Sequence, residues 1–396
     1  MRNQTDVVVI GGGYAGVMAA NRLTKNPDLS IRLINPRPRF VERIRLHQLV
    51  TGSDDAVADY EDLLADRVQL VVDHVVQISP AARRVELAGG TSVGYDYLIY
   101  AVGSHSSPTT PGAAEFAHPL TTLEEADRLR AALHVAGAHA AVTVVGGGAS
   151  GMETATELAE AGRRVTLVCG GELGPTLHPR GRAHVARRMA ALGVTVLDGA
   201  GSQVSAVSGA EVSLLDGRVI PSAVTVWTAG FGVPELARRS GLSTDADGRL
   251  RTDETLTSVD DPSIVAAGDC ASPSGIGFRM SCQTATQLGL LAADTVLSRV
   301  AGQTPSEVSV GVVSLCLSLG RSDGLLQLTH RDDSPRRLLV HGRLGAAIKE
   351  TACSGTVKAL AFEGHRPGLI RFPDWIADPE RQRQLLARHD EVSLTP

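Results

Sequence analysis

Residues 5–23 read TDVVVIGGGYAGVMAANRL: an apolar β-branched run, three glycines, a fourth glycine at Gly16, then an alanine-rich helical stretch. Gly11, Gly13 and Gly16 have the spacing G-x-G-x-x-G, placed between a predicted strand and a predicted helix. The first glycine of such a loop permits a tight turn. The second lets the backbone approach a pyrophosphate, and the third lets the helix pack on the strand. The helix N-terminus adds partial positive charge where the diphosphate would lie. One such loop is a weak signal, because glycine-rich turns are common.

The same grammar returns in residues 141–162, AVTVVGGGASGMETATELAEAG, where Gly146, Gly148 and Gly151 repeat the spacing 135 positions further on. That interval is too long for a solenoid repeat and suits a duplicated nucleotide-binding unit. Ala15 in the first loop and Ala149 in the second are the small residues between the second and third glycines. Two loops call for two dinucleotides, and the economical pair is a tightly held FAD and an exchangeable NADH or NADPH. After each helix a second strand follows, LSIRLINP and RRVTLVCGG. Where an acid would accept from the adenosine ribose, this chain has Asn35 and Cys169. A carboxylate there would repel a 2′-phosphate, so its absence leaves NADH and NADPH both open.

Further strand-like segments, RRVELAGG, YDYLIYAVGS, VTVWTAG and SIVAAGD, alternate with helical ones. The expected fold class is α/β: two Rossmann-like dinucleotide-binding domains, the NAD(P) domain inserted in the FAD domain, plus a C-terminal α+β domain. The expected boundaries are 1–112 and 241–305 for the FAD domain, 113–240 for the NAD(P) domain and 306–396 for the C-terminal domain. In that last part VSVGVVSLCLSLG, GLLQLTHRDD and RRLLVHGRL read as antiparallel strands before a helical tail.

On these motifs the chain resembles the two-dinucleotide-binding-domain flavoprotein superfamily, in particular its type II NADH dehydrogenase and apoptosis-inducing-factor branch. YDYLIYAVGS resembles the superfamily strand that returns under the flavin and ends in a small-residue turn, here Ala101 and Gly103. GGGASGMETATELAE is similar to the family's GGGxTGVExAxEL. VWTAG, ending at Gly230, precedes SIVAAGDCA, where the resemblance assigns Gly268 and Asp269 to the flavin ribityl chain. It also makes Val75, in HVVQISP, a backbone contact of the flavin adenine.

MSCQTATQLGLLAADTV places Gln283 and Gln287 one helical turn apart on one face. The resemblance implies that these glutamines line a quinone pocket, although Cys282 stands for the family's alanine and Arg279–Met280 for its prolines. Two exposed helical glutamines are the bland alternative. Glu153 matches the glutamate beside the nicotinamide; it also suits the first turn of a helix on electrostatic grounds alone. In FVERIRLHQ, where related disulfide reductases carry redox cysteines, this chain has Arg43, Arg45 and His47, so a dithiol relay there is excluded. Arg45 and His47 face the flavin or an acceptor, or serve the structure. His47 is also a conceivable but disfavoured covalent tether. Lys349, in AAIKE, is an isolated lysine in an apolar setting.

A formal net charge of −5 and the lack of a basic arm argue against a nucleic-acid partner. The arginine-rich RRLLVHGR and ERQRQLLARH read as solvated faces. Five scattered cysteines without CxxC fit a reducing cytoplasm and no usual zinc site. The N-terminus lacks the pattern of a signal peptide, and no run suits a transmembrane span. The polar tail offers little to insert, with GLIRFPDWI expected to pack inside, so peripheral membrane contact stays open. A monomer or homodimer is expected. The functional expectation is hydride transfer from NAD(P)H through FAD to a quinone or another small-molecule electron acceptor. The alternatives are a reductase or oxidase acting on a small redox protein or biosynthetic intermediate, and a non-catalytic redox sensor.

Overall fold

The computed structural model describes residues 4–373 and 377–393. In chain order, β1 (Thr5–Ile10), α1 (Tyr14–Leu23), β2 (Leu29–Asn35), α2 (Leu46–Thr51), β3 (Val68–Val72) and β4 (Tyr97–Tyr100) come first. They are followed by β5 (Ala117–Pro119), α3 (Leu123–Ala136), β6 (Ala141–Val145), α4 (Ala149–Glu160), β7 (Arg164–Val168), α5 (Pro179–Ala191), β8 (Thr195–Leu197) and β9 (Val224–Trp227). The chain then runs through β10 (Ile264–Ala266), α6 (Cys282–Val300), β11 (Ser314–Ser318), β12 (Gly324–Thr329), β13 (Pro335–His341), α7 (Gly342–His365) and α8 (Pro379–Ser393).

The first parallel sheet has the order β10-β4-β1-β2-β3, so it takes strands from both sides of the second, β5-β9-β6-β7-β8. Register decides where the loops gather. Ile10 lies beside Tyr100, and Tyr100 beside Ala266. The turns that follow them, at Gly11, Ala101 and Gly268, therefore meet at one carboxyl edge, where open α/β sheets bind ligands. In the second sheet Val145 lies beside Val168 and Trp227, which brings Gly146, Cys169 and the 228–230 turn together in the same way.

All ten residues of α1 are buried, which explains why it is apolar around its circumference. One face packs on the first sheet and the others on α6 and α7. Its two polar interior residues are satisfied. Asn21 donates to the Leu63 and Leu360 carbonyls and accepts from the Ala65 amide, while Arg22 pairs with Asp294 and Glu363. The α1 and α6 backbones touch: a Cβ at Gly289 would lie 2.4 Å from the Ala15 carbonyl oxygen.

The C-terminal part is a three-stranded antiparallel sheet, β11-β12-β13, backed by α7. Two details differ from the sequence expectation. The strand expected over VSVGVVSLCLSLG is confined to Ser314–Ser318, because the preceding backbone bonds elsewhere: Val308 N–H donates to the Glu254 carbonyl and Gly311 exchanges bonds with the Gln287 side chain. RRLLVHGRL leaves the sheet at His341, and Gly342 begins a 24-residue helix.

The face expected to be solvated in ERQRQLLARH is corrected at Arg381. Its guanidinium makes a two-pronged pair with Glu254, donates to the Pro273 and Ile276 carbonyls and sits 4.4 Å over the Phe278 ring. In GLIRFPDWI, Ile370 packs on the core, whereas Leu369 and Phe372 are exposed; Asp374, Trp375 and Ile376 lie outside the described residues. Among the described residues, no helix is long and apolar enough to cross a membrane.

Candidate functional site

The first glycine loop is closed from behind and open in front. A Cβ at Gly11 would lie 2.3 Å from the Ala101 carbonyl oxygen, and one at Gly16 would lie 1.8 Å from that of Gly11, whereas one at Gly13 would meet nothing within 4 Å. Gly11 and Gly16 are thus required by packing, and Gly13 faces free space at the N-terminus of α1. A diphosphate fits that space, with the first-turn N–H groups aimed at it. The loop is braced by two side chains. Asn35 Oδ1 accepts from the Gly12 amide (3.0 Å), and Tyr60 donates its hydroxyl to the Gly12 carbonyl (2.7 Å). Asn35 also donates to the Arg37 carbonyl, so its amide anchors the loop at the ribose end of β2. Tyr60 was not legible in advance, since nothing local in VADYEDLL marks it as a brace.

Around the same edge, Ala15 abuts Gly268, where a Cβ would lie 3.0 Å from the Ala15 methyl. Asp269 follows, largely covered, accepting from the Ser104 hydroxyl at 2.7 Å with Arg43 Nη1 3.7 Å away. Gly103 has φ +69°, the left-handed turn that lets Ser104 reach Asp269. Val75 is buried at the start of the strand Val75–Ser79, next to Ile34 and Leu87 in one cluster. A carboxylate, a serine and an arginine in mutual contact suit the hydroxyls of a ribityl chain.

The second loop repeats the geometry. A Cβ at Gly151 would lie 1.8 Å from the Gly146 carbonyl oxygen, and one at Gly146 would lie 2.5 Å from Thr228 Oγ1. At Gly148 a Cβ would meet nothing within 4 Å, so this cradle too is open, at the first residue of α4, Ala149. Cys169 closes the back of the loop; burial pushes its thiol up to about 12, so it is a neutral wall. Gly230 takes φ +71° where the chain leaves the second sheet toward the strand Phe231–Gly232, which pairs with His105–Ser106.

Glu153, one turn into α4, is held among buried polar groups. Its Oε1 lies 3.0 Å from Lys349 Nζ on α7 and accepts from the Ser318 amide (2.9 Å) and hydroxyl (3.2 Å) on β11. His47 Nε2 lies 3.2 Å from the same hydroxyl. Burial opposes the Glu153 charge, but Lys349, His47 and the Ser318 amide outweigh it and keep the carboxyl below its usual range. Burial also works against the Lys349 charge, and Glu153 reverses that, raising the ammonium. His47 is lowered to about 4, chiefly by burial and partly by the cations Lys349, Arg321 and Arg45, so the imidazole is neutral near pH 7.

Two other expected positions serve the frame. Arg45 is tied to Glu42, Asp54 and Glu350, the last a two-pronged pair with α7. Gln287 is buried, with Nε2 donating to the Gly311 carbonyl (3.0 Å) and Oε1 accepting from the Gly311 amide (3.2 Å). Its amide pins residues 308–313 onto α6, while Gln283 remains half-buried beside Cys282 at the start of that helix. Among the described residues, no cluster of His, Cys, Asp and Glu suits a metal ion.

Residues 5–289 match the family model described as pyridine nucleotide-disulphide oxidoreductase. An NADH dehydrogenase-like protein of Mycobacterium tuberculosis is 31% identical over 331 residues, covering 74% of this chain and 80% of the relative. The type II NADH:quinone oxidoreductase of the same organism is 30% identical over 348 residues, covering 76% and 74%. The solved NDH2 of Plasmodium falciparum in complex with NADH superposes with a TM-score of 0.76 at 14% identity, covering 91% of this chain and 97% of that one, and so supports the fold. Two open diphosphate cradles on two parallel sheets and a family match over most of the length lead to one conclusion: the chain belongs to the pyridine nucleotide-disulphide oxidoreductase family and is an FAD- and pyridine nucleotide-dependent oxidoreductase.

Proposed function

We propose that the chain is an NAD(P)H:quinone-type oxidoreductase, with FAD at the Gly11–Gly16 loop and the pyridine nucleotide at the Gly146–Gly151 loop. The overall change balances as NAD(P)H + H⁺ + quinone giving NAD(P)⁺ + quinol. FAD held at the first loop would supply the two-electron chemistry. The protein's own residues position and exclude. Asp269, with Ser104 and Arg43, would hold the ribityl chain, Val75 the adenine side, and Ala101, Gly103 and Gly268 the close backbone approach. Glu153 stays ionised and fixed by Lys349 and Ser318, bordering the nicotinamide end of the second cradle without changing its charge. Gln283 stands at the N-terminus of α6, where its amide can donate to an acceptor carbonyl.

The observation that carries this reading is the pair of cradles with Gly13 and Gly148 each facing open space. The stretch RIRLH, where disulfide reductases keep their thiols, offers no cysteine, so a small acceptor is favoured over a dithiol. We assign residues 1–112 and 241–305 to the FAD part, 113–240 to the pyridine nucleotide part and 306–396 to a capping part, and place the protein in the cytoplasm. The strand order, with one sheet assembled from both flanks of the other, supports this division. Anaerobic titration of the FAD-loaded protein with NADH and NADPH, followed by quinones, tests the function. Bleaching of the flavin band and its recovery on quinone addition are expected; a flavin that neither nucleotide bleaches would end the proposal.

A further inference from the structure

The second cradle has no acceptor of its own for the 2′ position of a nucleotide ribose, because Cys169 stands where an acid would end β7. The first cradle has a polar side chain at that place, Asn35, whose Oδ1 accepts from the Gly12 amide. In the second, the Gly147 amide donates instead to the Cys169 carbonyl (3.3 Å), and the Cys169 thiol stays neutral. A carboxylate for the ribose has to come from a neighbouring strand.

The strand β8 supplies one. Val168 lies beside Leu197, and the Cys169 amide donates to the Leu197 carbonyl (2.8 Å), so the next residue, Asp198, stands at the same carboxyl edge alongside Cys169. Its charge is felt there: burial raises the Cys169 thiol, and Asp198 pushes it the same way. Asp198 is exposed, and no hydrogen bond or ion pair engages it among the described residues. An aspartate before a glycine often serves its own turn. Here the Gly199 amide donates to the Gly171 carbonyl (2.7 Å) and the Ser202 amide to the Gly199 carbonyl (3.0 Å), so the turn closes without the carboxylate. In the first sheet the acid after β3, Asp73, is by contrast spent on the His74 and Gly89 amides (2.7 and 3.3 Å).

The rest of this edge is open and its cation is committed. A Cβ at Gly170, Gly171 or Gly199 would meet nothing within 4 Å, so the backbone leaves room between the ends of β7 and β8. Arg182 is the arginine bonded to this turn; it pairs with Glu172 and donates to the Gly174 and Leu177 carbonyls. A 2′-phosphate here would meet an uncompensated carboxylate and an arginine already in use.

We propose that Asp198 selects the pyridine nucleotide, accepting from a ribose 2′-hydroxyl and repelling a 2′-phosphate, so that the chain prefers NADH to NADPH. The inference rests on placing the pyridine nucleotide at the Gly146–Gly151 loop. ADP-ribose and its 2′-phosphate derivative test it by binding alone, since neither carries a nicotinamide. In calorimetric titrations of the FAD-loaded protein, Kd for ADP-ribose should lie at least about tenfold below that for the 2′-phosphate form. Asp198→Asn should narrow the gap to about threefold or less, and Asp198→Arg should invert it. In the unaltered protein, added salt should narrow the same gap, because it screens exposed charges. Equal binding of the two probes, preference for the 2′-phosphate form, or a gap unchanged in Asp198→Asn would each overturn the inference while leaving the loop assignment standing. Binding of neither probe would remove the nucleotide site and the inference with it.

Discussion

Lys349 Nζ stands 3.0 Å from Glu153 Oε1, joining α4 to α7 with both side chains shut away from solvent. Removing one partner of such a pair leaves an uncompensated buried charge, which costs about 3–5 kcal/mol. Lys349→Met is therefore expected to destabilise by that order in urea unfolding and to push the Glu153 carboxyl upward. The double variant Lys349→Met/Glu153→Leu should recover most of the loss. A single variant with unchanged stability would show that the two side chains do not meet.

His47 sets a pH dependence of known sign. Its folded value, about 4, lies below the ordinary 6.5, so between these values the unfolded chain binds more protons. Stability should fall as pH drops from 6.5 toward 4, by roughly 3 kcal/mol in total, and level off below. His47→Gln, which cannot take up that proton, should flatten this part of the profile. Urea midpoints measured at intervals across the window check the claim.

The two kinds of loop glycine should behave differently. Gly148→Val adds a side chain into open space, so the fold should survive while reduction by NAD(P)H is lost by at least about a hundredfold. Gly151→Ala would drive a methyl to 1.8 Å from the Gly146 carbonyl oxygen, so that variant should lose stability before anything else. Flavin content and anaerobic reduction rates distinguish the two outcomes.

Asp269 links the first sheet's edge to Ser104 and Arg43. Asp269→Ala should weaken FAD binding about tenfold or more, in line with losing hydrogen bonds to a charged group. Ser104→Ala should do less. The ratio of flavin to protein absorbance after dialysis measures both.

The nucleotide frame was readable because its determinants are local. A strand, three spaced glycines and a helix lie within nineteen residues, and packing at Gly11 and Gly16 confirms why no larger residue stands there. The surroundings of Glu153 were not readable in the same way. Ser318 is 165 residues away and has no sequence mark, and Lys349 showed only as an isolated lysine in an apolar stretch. Arg381 read as solvated because periodicity cannot reveal Glu254, 127 positions earlier. Gln287 read as facing an acceptor because helical spacing gives the face and not the partner, here the Gly311 backbone.

Lys349 and Glu350 are consecutive, yet one grips Glu153 on α4 and the other Arg45, just before α2, a helix that itself packs on α3 and α4. Neighbouring helical side chains point about 100° apart, so a single peptide unit of α7 ties down two segments of the chain that lie more than a hundred residues apart, Arg45 and Glu153. A chain cut after His341 would keep each loop and each sheet but lose both ties, leaving the Glu153 carboxylate buried without its cation and Arg45 without its α7 partner.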